Sequence, residues 1–548
     1  MTEDHGSFGR IDVSEVGHAP FRLPSSAEMT ALDHDTITRG TSARELMERA
    51  GRAVSDRLLA VYPAAKNLVI LCGPGNNGGD GLVISKCLRD RGLDVSVIVT
   101  SASRYSAEWL EQIGGVSGFR LFGGGSSFLP SDGVEMSPIT PPEIKDLLKG
   151  ADLVVDALLG TGQSDAPRGA ISDLVRLLAS CRAELSKLSV VSVDLPTGID
   201  ADTGGVFDPH VVADLTIAIQ LIKRGCLQFP ARAVCGEIES VDIGISGGAH
   251  VEYSLIARSN LPRLARRAAD THKGALGRVL VIGGSLAMSG APMLSALGAL
   301  RTGAGIVSRV VRSGWSTIPP LPEAMFEVLG GNASCYQLSD LNEIDEMIKR
   351  YDTCVIGPGM GTASGTLDLF LAILDRLKSS NARLILDADA LNLLAASGAS
   401  LAGLASIITP HPGEAARLLG ISSALVQKDR FTAARDLARK LGAVTVLKGA
   451  GTLIHDGVCG SLVAEGTPYL ATPGSGDVLS GIIAGCVARC ASLRDAAVLG
   501  VWLHAKAGSE AAKRRRGPIL ASEIAEHLGG FVGGIEGDFR VRDNLKVA

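Results

Sequence analysis

The sequence predicts an α/β protein of two successive domains, each a mostly parallel sheet covered by helices. Three observations carry this reading. Short apolar, β-branched runs alternate with stretches of helical spacing twice along the 548 residues, an alternation that right-handed βαβ crossovers produce. Hydrophobic residues make up 46% and aromatics only 4%, so the core must be built of Ala, Val, Leu and Ile, the material of buried parallel strands. The 67 glycines show no collagen-like period, and many fall just beyond the apolar runs.

In chain order, residues 1–24 are acidic at the start and lack an apolar stretch of the kind a secretory leader needs, so they read as a flexible tail. After Ser42, Leu46, Met47, Ala50, Val54 and Leu58 recur at helical spacing. Residues 68–72 read as a strand, 82–92 as a helix and 95–100 as a strand. Residues 101–150, rich in Gly, Ser and Pro, read largely as an irregular insertion. Strands follow at 151–160, 188–196 and 213–219, with a helix from Ile171 to Leu185 between the first two. A second alternation begins near residue 262, with strands at 277–284, 352–359, 382–389, 405–414 and 443–451. This places one domain over residues 25–248 and another over 249–548. Val279 to Leu300 is uncharged and long enough to span a bilayer, but its Gly-Gly-Ser and Ser-Gly-Ala-Pro breaks read as a strand, a turn and a helix.

The net charge of −5 argues against a nucleic-acid binder driven by bulk electrostatics. The ten cysteines are scattered; Cys486 and Cys490 are neighbours at helical spacing without a nearby histidine pattern for zinc. They read as thiols of a reducing compartment, hence a cytoplasmic protein with no membrane partner.

In the first half, residues 72–81 (CGPGNNGGDG) join a strand to a helix, where glycines let a backbone approach phosphate. A hydride-transferring enzyme would carry an acid about 20 residues on, but Thr100 and Ser101 stand there, which disfavours a dehydrogenase. Asn76, Asn77 and Asp80 make the loop unusually polar. Two more strands end in a lone acid, Asp156 and Asp194, beside Gly-Thr-Gly and Thr-Gly turns. Ligands of open α/β sheets bind at such strand ends, although a carboxylate there also serves as a helix cap. Asn77, Asp156 and Thr197 form an oxygen set suited to a hard cation rather than zinc.

In the second half, Gly474, Ser475 and Gly476 open an apolar helix and would aim backbone N–H groups into one concavity, a nest for phosphate. Asp477 follows in the first turn, as a helix-terminal carboxylate or as a base beside the phosphate. His411 lies between Pro410 and Pro412, which stiffen its loop, and on the residues alone it can be a hydrogen-bonded structural histidine.

Together these motifs resemble a known family. Residues about 25–245, through ARELMERAGRAV, GPGNNGGDGLV, DALLGTG, DLPTGIDADTG and ADLTIAI followed by KRG, resemble the epimerase domain of NAD(P)H-hydrate repair enzymes. The resemblance implies a Rossmann-like three-layer sandwich. It implies that Asn76, Asn77, Gly78, Gly79, Asp80, Gly160, Thr161, Gly162, Gln163, Ser164, Asp165 and Ala166 line the substrate site, that Asp194 touches the hydrated ring as a catalytic group, and that Asn77, Asp156 and Thr197 hold potassium. Gln163-Ser164-Asp165 departs from the apolar and basic residues usual after Gly-Thr-Gly. Residues about 262–545 resemble the ADP-dependent dehydratase domain of the same system, a ribokinase-like three-layer α/β fold. Here the resemblance places Asp477 as the catalytic base, Lys448, Gly449, Ala450, Gly451, Thr452 and Gly476 on the nucleotide, and Ala291, Gly361 and His411 on the hydrate. Pro473 stands where the family often has Gly, and proline has no N–H to offer phosphate.

The resemblance implies an enzyme of two activities. One interconverts the R and S hydrates of NADH and NADPH. The other dehydrates the S form with ADP as co-substrate, accompanied by magnesium, yielding AMP and phosphate. A homo-oligomer is expected. The alternative is a ribokinase-like vitamin or small-molecule kinase with a noncatalytic nucleotide-binding N-terminal domain.

Overall fold

Runs such as Leu68–Cys72 and Val190–Val193 have nothing but buried side chains, which only a sheet covered on both faces can accommodate. The computed structural model describes residues 11–12, 21–100, 119–123, 136–185, 187–245, 248–312, 321–331 and 333–537. The described chain divides into two compact units, one ending at Ser254 and the other starting at Leu255. The division falls a few residues after the expected position of 248.

The N-terminal unit contains β1 (Ile11–Asp12), α1 (Ser26–Thr38), α2 (Ala43–Val61), β2 (Asn67–Cys72), α3 (Asn76–Arg89), β3 (Asp94–Val99), β4 (Phe119–Leu121), β5 (Met136–Pro138), α4 (Pro141–Gly150), β6 (Leu153–Ala157), α5 (Gly169–Glu184), β7 (Ser189–Val193), β8 (Leu215–Ile219) and β9 (Glu237–Val241). Its sheet runs β1-β9-β8-β7-β6-β2-β3-β4-β5, every pairing parallel. The chain order reverses between β2 and β6, where ligands of such sheets bind.

Three expectations need correction. The tail is not wholly loose: Ile11 and Asp12 pair with Ile238 and Glu239, extending the sheet edge, while residues 1–10 and 13–20 lie outside the described residues. The insertion is not wholly irregular: β4 and β5 continue the sheet, and α4 starts on a Thr140–Glu143 capping box with Pro in its first turn. Residues 101–118 and 124–135 of that insertion lie outside the described residues. Finally, the Gly- and Asn-rich segment is not a loop ahead of a helix beginning at residue 82. It forms the first turns of α3, whose N-cap is Gly75. Glycine is needed there because a Cβ on Gly81 would meet Ala157 Cβ at 2.7 Å and Cys72 Sγ at 2.9 Å, so α3 rides directly on the sheet.

The C-terminal unit contains β10 (Arg278–Ile282), α6 (Gly290–Thr302), β11 (Ile306–Arg312), β12 (Met325–Leu329), α7 (Leu341–Ile348), β13 (Thr353–Ile356), α8 (Ser364–Leu377), β14 (Arg383–Leu386), α9 (Asp389–Ser397), β15 (Ser406–Ile408), α10 (Pro412–Leu419), α11 (Ser423–Lys428), α12 (Arg430–Leu441), β16 (Val444–Leu447), β17 (Thr452–His455), β18 (Gly460–Val463), α13 (Ser475–Val487) and α14 (Leu493–Arg515). The strands run β12-β11-β10-β13-β14-β15-β16-β17-β18, parallel as far as β16 and antiparallel for the last two pairings. The uncharged stretch from Val279 is β10, a Gly turn and α6, and no described helix is long and apolar enough to cross a membrane. Helices α13 and α6 touch backbone to backbone: a Cβ on Gly481 would lie 1.9 Å from Ser295 O, and one on Gly298 2.5 Å from Val478 O. That contact fixes the start of α13 over the strand ends.

In both units the loops at the reversal of strand order cross at van der Waals distance or closer. A Cβ on Gly73, after β2, would fall 1.7 Å from Leu158 O, after β6. Gly73→Ala is therefore expected to destabilise the N-terminal unit by roughly 3 kcal/mol, the upper range of overpacking. Chemical denaturation of the full chain measures this; a loss within about 0.5 kcal/mol, the scale of an ordinary surface substitution, would mean the two loops can part.

Candidate active sites

At the C-terminal ends of β6 and β7 the two lone acids do different things. Asp156, fully buried in β6, accepts four hydrogen bonds: Ser192 Oγ at 2.9 Å and Thr197 N at 2.9 Å on Oδ2, Thr197 Oγ1 at 2.8 Å and Leu158 N at 3.2 Å on Oδ1. Four is about the acceptor capacity of a carboxylate. Burial pushes its carboxyl above the usual range, while the donors from Thr197, Ser192 and Leu158 pull it back. Thr197 Oγ1 also accepts from Leu159 N at 3.1 Å, and Leu159 O accepts from Asn77 Nδ2 at 2.8 Å. Asn77 is thus linked through Leu159 to the Thr197–Asp156 pair. Asn77 Oδ1 is buried with no hydrogen-bond partner, an unmet acceptor of the kind a cation or water fills.

Asp194 follows β7 with φ of 70°, a left-handed backbone that costs a non-glycine residue energy and clusters at functional sites. Its Oδ1 accepts from Ile219 N at 3.2 Å and forms an ion pair with Lys223, whose side chain is only 2% exposed. Lys223 Nζ also donates to Ile219 O at 2.9 Å. Asp80, in the second turn of α3, is buried nearby. Burial, aided by the Asp194 charge and opposed by Lys223, raises its pKa well above the ordinary carboxyl value. Asp33, on α1, is raised for the same reasons, burial first. Sequence reasoning found Asp80 and Asp194 but missed Asp33 and Lys223. The lysine had a signal: it lies in the KRG that follows the β8 run.

The 160–166 loop is tied down on both sides. Ser26 Oγ, at the start of α1, donates to Thr161 O at 3.1 Å, and Gly198 N donates to Gln163 Oε1 at 3.0 Å. Gln163, a departure from the family pattern, therefore clamps this loop to the Thr197 turn. Asp165 instead makes an exposed pair with Arg168, which contributes little. Asn76, Gly162 and Ser164 are exposed, whereas Gly78 and Gly79 are buried.

In the C-terminal unit, Thr472 to Ser475 form a type II turn. Ser475 N donates to Thr472 O at 3.2 Å, Pro473 takes the second position, and Gly474 has φ of 84° and ψ of −5° in the third. The turn spends Ser475 N–H on Thr472 O and Pro473 has none, so of the nest expected at Gly474, Ser475 and Gly476 only the Gly474 and Gly476 amides remain, with that of Asp477 beside them. His504, fully buried and with its pKa pushed down to about 4 by burial, lies with Nε2 3.0 Å from both Oγ and O of Ser475. A neutral histidine thus braces the turn from beneath.

Asp477 is mostly buried, and burial followed by the Asp387 charge raises its pKa to about 7. Lys448, at the end of β16, donates to Asp387 Oδ1 at 2.8 Å and lies 3.8 Å from Glu414 Oε2. Burial opposes its charge, but Asp387 and Glu414 outweigh burial and raise its pKa. A Cβ on Gly476 would lie 3.3 Å from Lys448 Nζ, so this glycine leaves the ammonium uncovered beside the phosphate turn. Gly449 to Thr452 are shaped by Arg430 on α12, which donates to Leu447 O at 3.2 Å, Lys448 O at 3.3 Å and Gly451 O at 3.4 Å. Ala450, the exposed tip, sits between two glycines of positive φ.

His411 caps α10: its Nδ1 accepts from Gly413 N at 2.9 Å, and its Nε2 lies 3.4 Å from Glu414 Oε1. Burial and then Lys448 and Arg417 lower its pKa, leaving a neutral ring with Nε2 facing Glu414. Gly361 N donates to Asp389 Oδ2 at 2.8 Å, and Ala291 opens α6 beside Gly359, where an added Cβ would be 3.2 Å from Ala291 Cβ. Sequence reasoning missed Asp387, Asp389, Glu414, Arg430 and His504. Asp387 carried the signal used in the first half, a lone acid just past an apolar strand.

The fold and these sites define a two-unit α/β enzyme, each unit with carboxyl groups gathered at the ends of its parallel strands. Residues 279–529 match the family described as NAD(P)H-hydrate dehydratase, and residues 43–225 the one described as YjeF-related protein N-terminus. A bifunctional NAD(P)H-hydrate repair enzyme from Coxiella burnetii is 37% identical over 516 residues, covering 92% of this chain and 98% of that one. The corresponding enzyme of Escherichia coli is 34% identical, covering 93% and 95%. A solved ADP/ATP-dependent NAD(P)H-hydrate dehydratase from Bacillus subtilis, co-crystallised with ATP and magnesium, is 29% identical with a TM-score of 0.43, covering 50% of this chain and 99% of that chain. The chain belongs to the family of bifunctional NAD(P)H-hydrate repair enzymes.

Arg430→Ala is expected to leave three carbonyls of the 447–451 loop without their donor and to cost about 2 kcal/mol. Hydrogen exchange should quicken at the amides of Gly449 to Thr452, with the remainder of β16 protected. Unchanged exchange there would show that the loop holds its shape without the guanidinium.

Proposed function

We propose that this chain repairs hydrated nicotinamide cofactors in two steps. The N-terminal unit, residues 25–248 in the sequence reading, interconverts the R and S hydrates of NADH and NADPH. The C-terminal unit, residues 249–548, dehydrates the S form while ADP becomes AMP and phosphate. The observation that carries the reading is the pairing of a phosphate turn with a carboxyl group of pKa about 7 in its first helical turn. Such a value suits a general base at neutral pH. The near end-to-end match to two-activity relatives supports this reading over a kinase with an idle first domain.

In the second step, Asp477 takes the proton from the hydrate's hydroxyl as that oxygen attacks the outer phosphorus of ADP. Lys448 and the amides of Gly474, Gly476 and Asp477 offset the charge on the transferring group. The phosphate then leaves from C6, aided by the ring-nitrogen lone pair, and loss of a proton from C5 to solvent restores the dihydronicotinamide. Magnesium would enter with the nucleotide. Such an ion is held mainly by phosphates and one or two carboxylates. Asp387 and Glu414, beside Lys448, are the carboxylates for it, and the ion would neutralise phosphate charge.

In the first step the hydroxyl leaves C6, the carbon becomes planar, and water returns to the other face. Asp194 and Asp80 are the carboxyl groups in place to exchange protons with the departing hydroxyl and the entering water. Asn77, Gly78, Gly79 and the clamped 160–166 loop hold the dinucleotide. The unmet Asn77 Oδ1 fits a potassium ion; Asp156 and Thr197 stand beside it, and each would have to give up part of its present hydrogen bonding to join the ion as a further oxygen. The ion would supply positive charge beside the dinucleotide. We further place the protein in the cytoplasm, as a homo-oligomer; all ten cysteines are free thiols, which suits a reducing compartment.

Incubation with a mixture of hydrate epimers and ADP tests both steps. Full recovery of reduced-nicotinamide absorbance is expected; recovery of the S share alone would remove the first activity. Asp477→Asn should bind ADP as before and lose about 100-fold or more in dehydration, the scale of a missing base. For the unmodified chain, kcat/KM for dehydration should fall below a midpoint near pH 7, because the base must be deprotonated and its pKa is about 7. A limb near pH 4 instead would assign the proton to another group. Asn77→Ala should abolish stimulation of epimerisation by potassium chloride over a choline salt and leave dehydration of the S hydrate unchanged. Retained stimulation would move the cation elsewhere.

A further inference from the structure

Asp194 stands on a strained backbone, and both of its recorded hydrogen bonds fall on one oxygen. Oδ1 receives Ile219 N at 3.2 Å together with the Lys223 ammonium, and Lys223 in turn is held by Ile219 O at 2.9 Å. No described residue donates to Oδ2, although the side chain is only 11% exposed. An ammonium on a flexible stem is ordinarily a surface group. Here its side chain is 2% exposed and is bonded to the chain segment that also holds Asp194. Lys223 therefore faces inward at a cost in desolvation, and Asp194 takes up its charge.

Three carboxyl groups share that one cation. Asp33, Asp80 and Asp194 lie within electrostatic reach of Lys223 and of one another. Asp33 arrives on α1, two helical turns after Ser26, whose hydroxyl ties the helix to the Thr161 loop. The thiol Cys226, hydrogen-bonded to Cys235, is the other titratable group facing Lys223 and Asp194. Only one of the three carboxyl groups, Asp194, touches the ammonium directly.

We infer that Lys223 is a positioning residue for epimerisation: by occupying Oδ1 of Asp194 it leaves Oδ2 as the single oxygen presented to the hydrate, and so makes Asp194 the proton acceptor and Asp80 the donor. The inference rests on the proposed epimerase reading and deepens it. In the forward direction Asp80 gives its proton to the departing hydroxyl, which leaves as water. The ring nitrogen supplies the electrons that stabilise the planar carbon. A water molecule then adds to the opposite face while Oδ2 of Asp194 takes its proton. The proton gained by Asp194 and lost by Asp80 return through solvent, so no oxidant or further reactant is needed.

The test uses the full chain, because dehydration of pure S hydrate with ADP reports on the other unit. In Lys223→Met, kcat for epimerisation should fall about 100-fold or more with KM within threefold, and dehydration should be unchanged. Lys223→Arg, which keeps the charge, should recover at least tenfold of that loss. A Lys223→Met chain that keeps kcat within threefold overturns the inference, as does a loss confined to KM. Where burying Asp194 without its partner unfolds the unit, Asp194→Asn with Lys223→Met removes both charges together. That double variant should epimerise no more slowly than Asp194→Asn alone, since Lys223 acts through Asp194; a further tenfold loss overturns the inference. Absence of epimerisation in the unmodified chain would instead defeat the functional reading, and the inference with it.

Discussion

The sites of both units depend on one steric constraint. Where strand order reverses, two neighbouring loops leave the sheet in opposite directions, and here they touch. Gly73 N donates to Ala157 O at 3.0 Å, and Gly284 N to Pro358 O at 2.8 Å. A Cβ on Gly73 or Gly283 would enter the facing carbonyl of Leu158 or Pro358. Because the loops cross so tightly, the acids that follow the strands are delivered to nearly the same place each time. Asp156 and Asp194 in one unit, and Asp387 and Lys448 in the other, are strand-end residues that need no long loop to reach their site. The helices opening at Asn76 and Ser475 then add their N-terminal charge. Alanine at either crossing would separate the strand ends and, with them, the groups that act together.

Much of this was legible in the sequence. Alternation of apolar runs located the central strands, and polar residues beside Gly-rich turns located the sites. One missed strand was hidden by the charge inside it. Ile306–Arg312 holds Arg309 and Arg312, and nothing in the pattern says that both are buried. Arg312 is neutralised by Asp340 and Arg309 lies over the Phe326 ring at 5.1 Å, partners that only the folded chain reveals. The terminal hairpin of β17 and β18 was hidden because its buried strands are four residues each. The segment GNNGGDG misled differently, since glycine is a poor helix former and the close packing of α3 that requires it is a tertiary fact.

Asp156 and Asp194 give the same signal in sequence, an acid closing an apolar strand, yet they differ in chemistry. Asp156 spends both oxygens on four donors and is a fixture of the 157–159 and 197 turns. Asp194 keeps an oxygen unspent and stands on a backbone that residues other than glycine seldom adopt. Their donors differ as well: Ser192, Thr197 and Leu158 surround one, while Lys223 and Ile219 N reach one oxygen of the other. The same rule sorts the second unit, where Lys448 engages Oδ1 of Asp387 and Asp477 is left to titrate.

Pro473 carries a consequence for the proposed phosphate turn. In a type II turn the second position wants the φ that proline already has, and the third wants glycine. The unfolded chain therefore has fewer conformations to give up at this spot than one with glycine there, a saving of about 0.4–1 kcal/mol. The loop arrives rigid, with Ser475 seated on a buried histidine. A phosphate entering such a turn does not have to freeze it, so the entropy that a floppy glycine loop surrenders on binding has here been given up during folding. What this chain gives away in amide donors it recovers as order that exists before the ligand does.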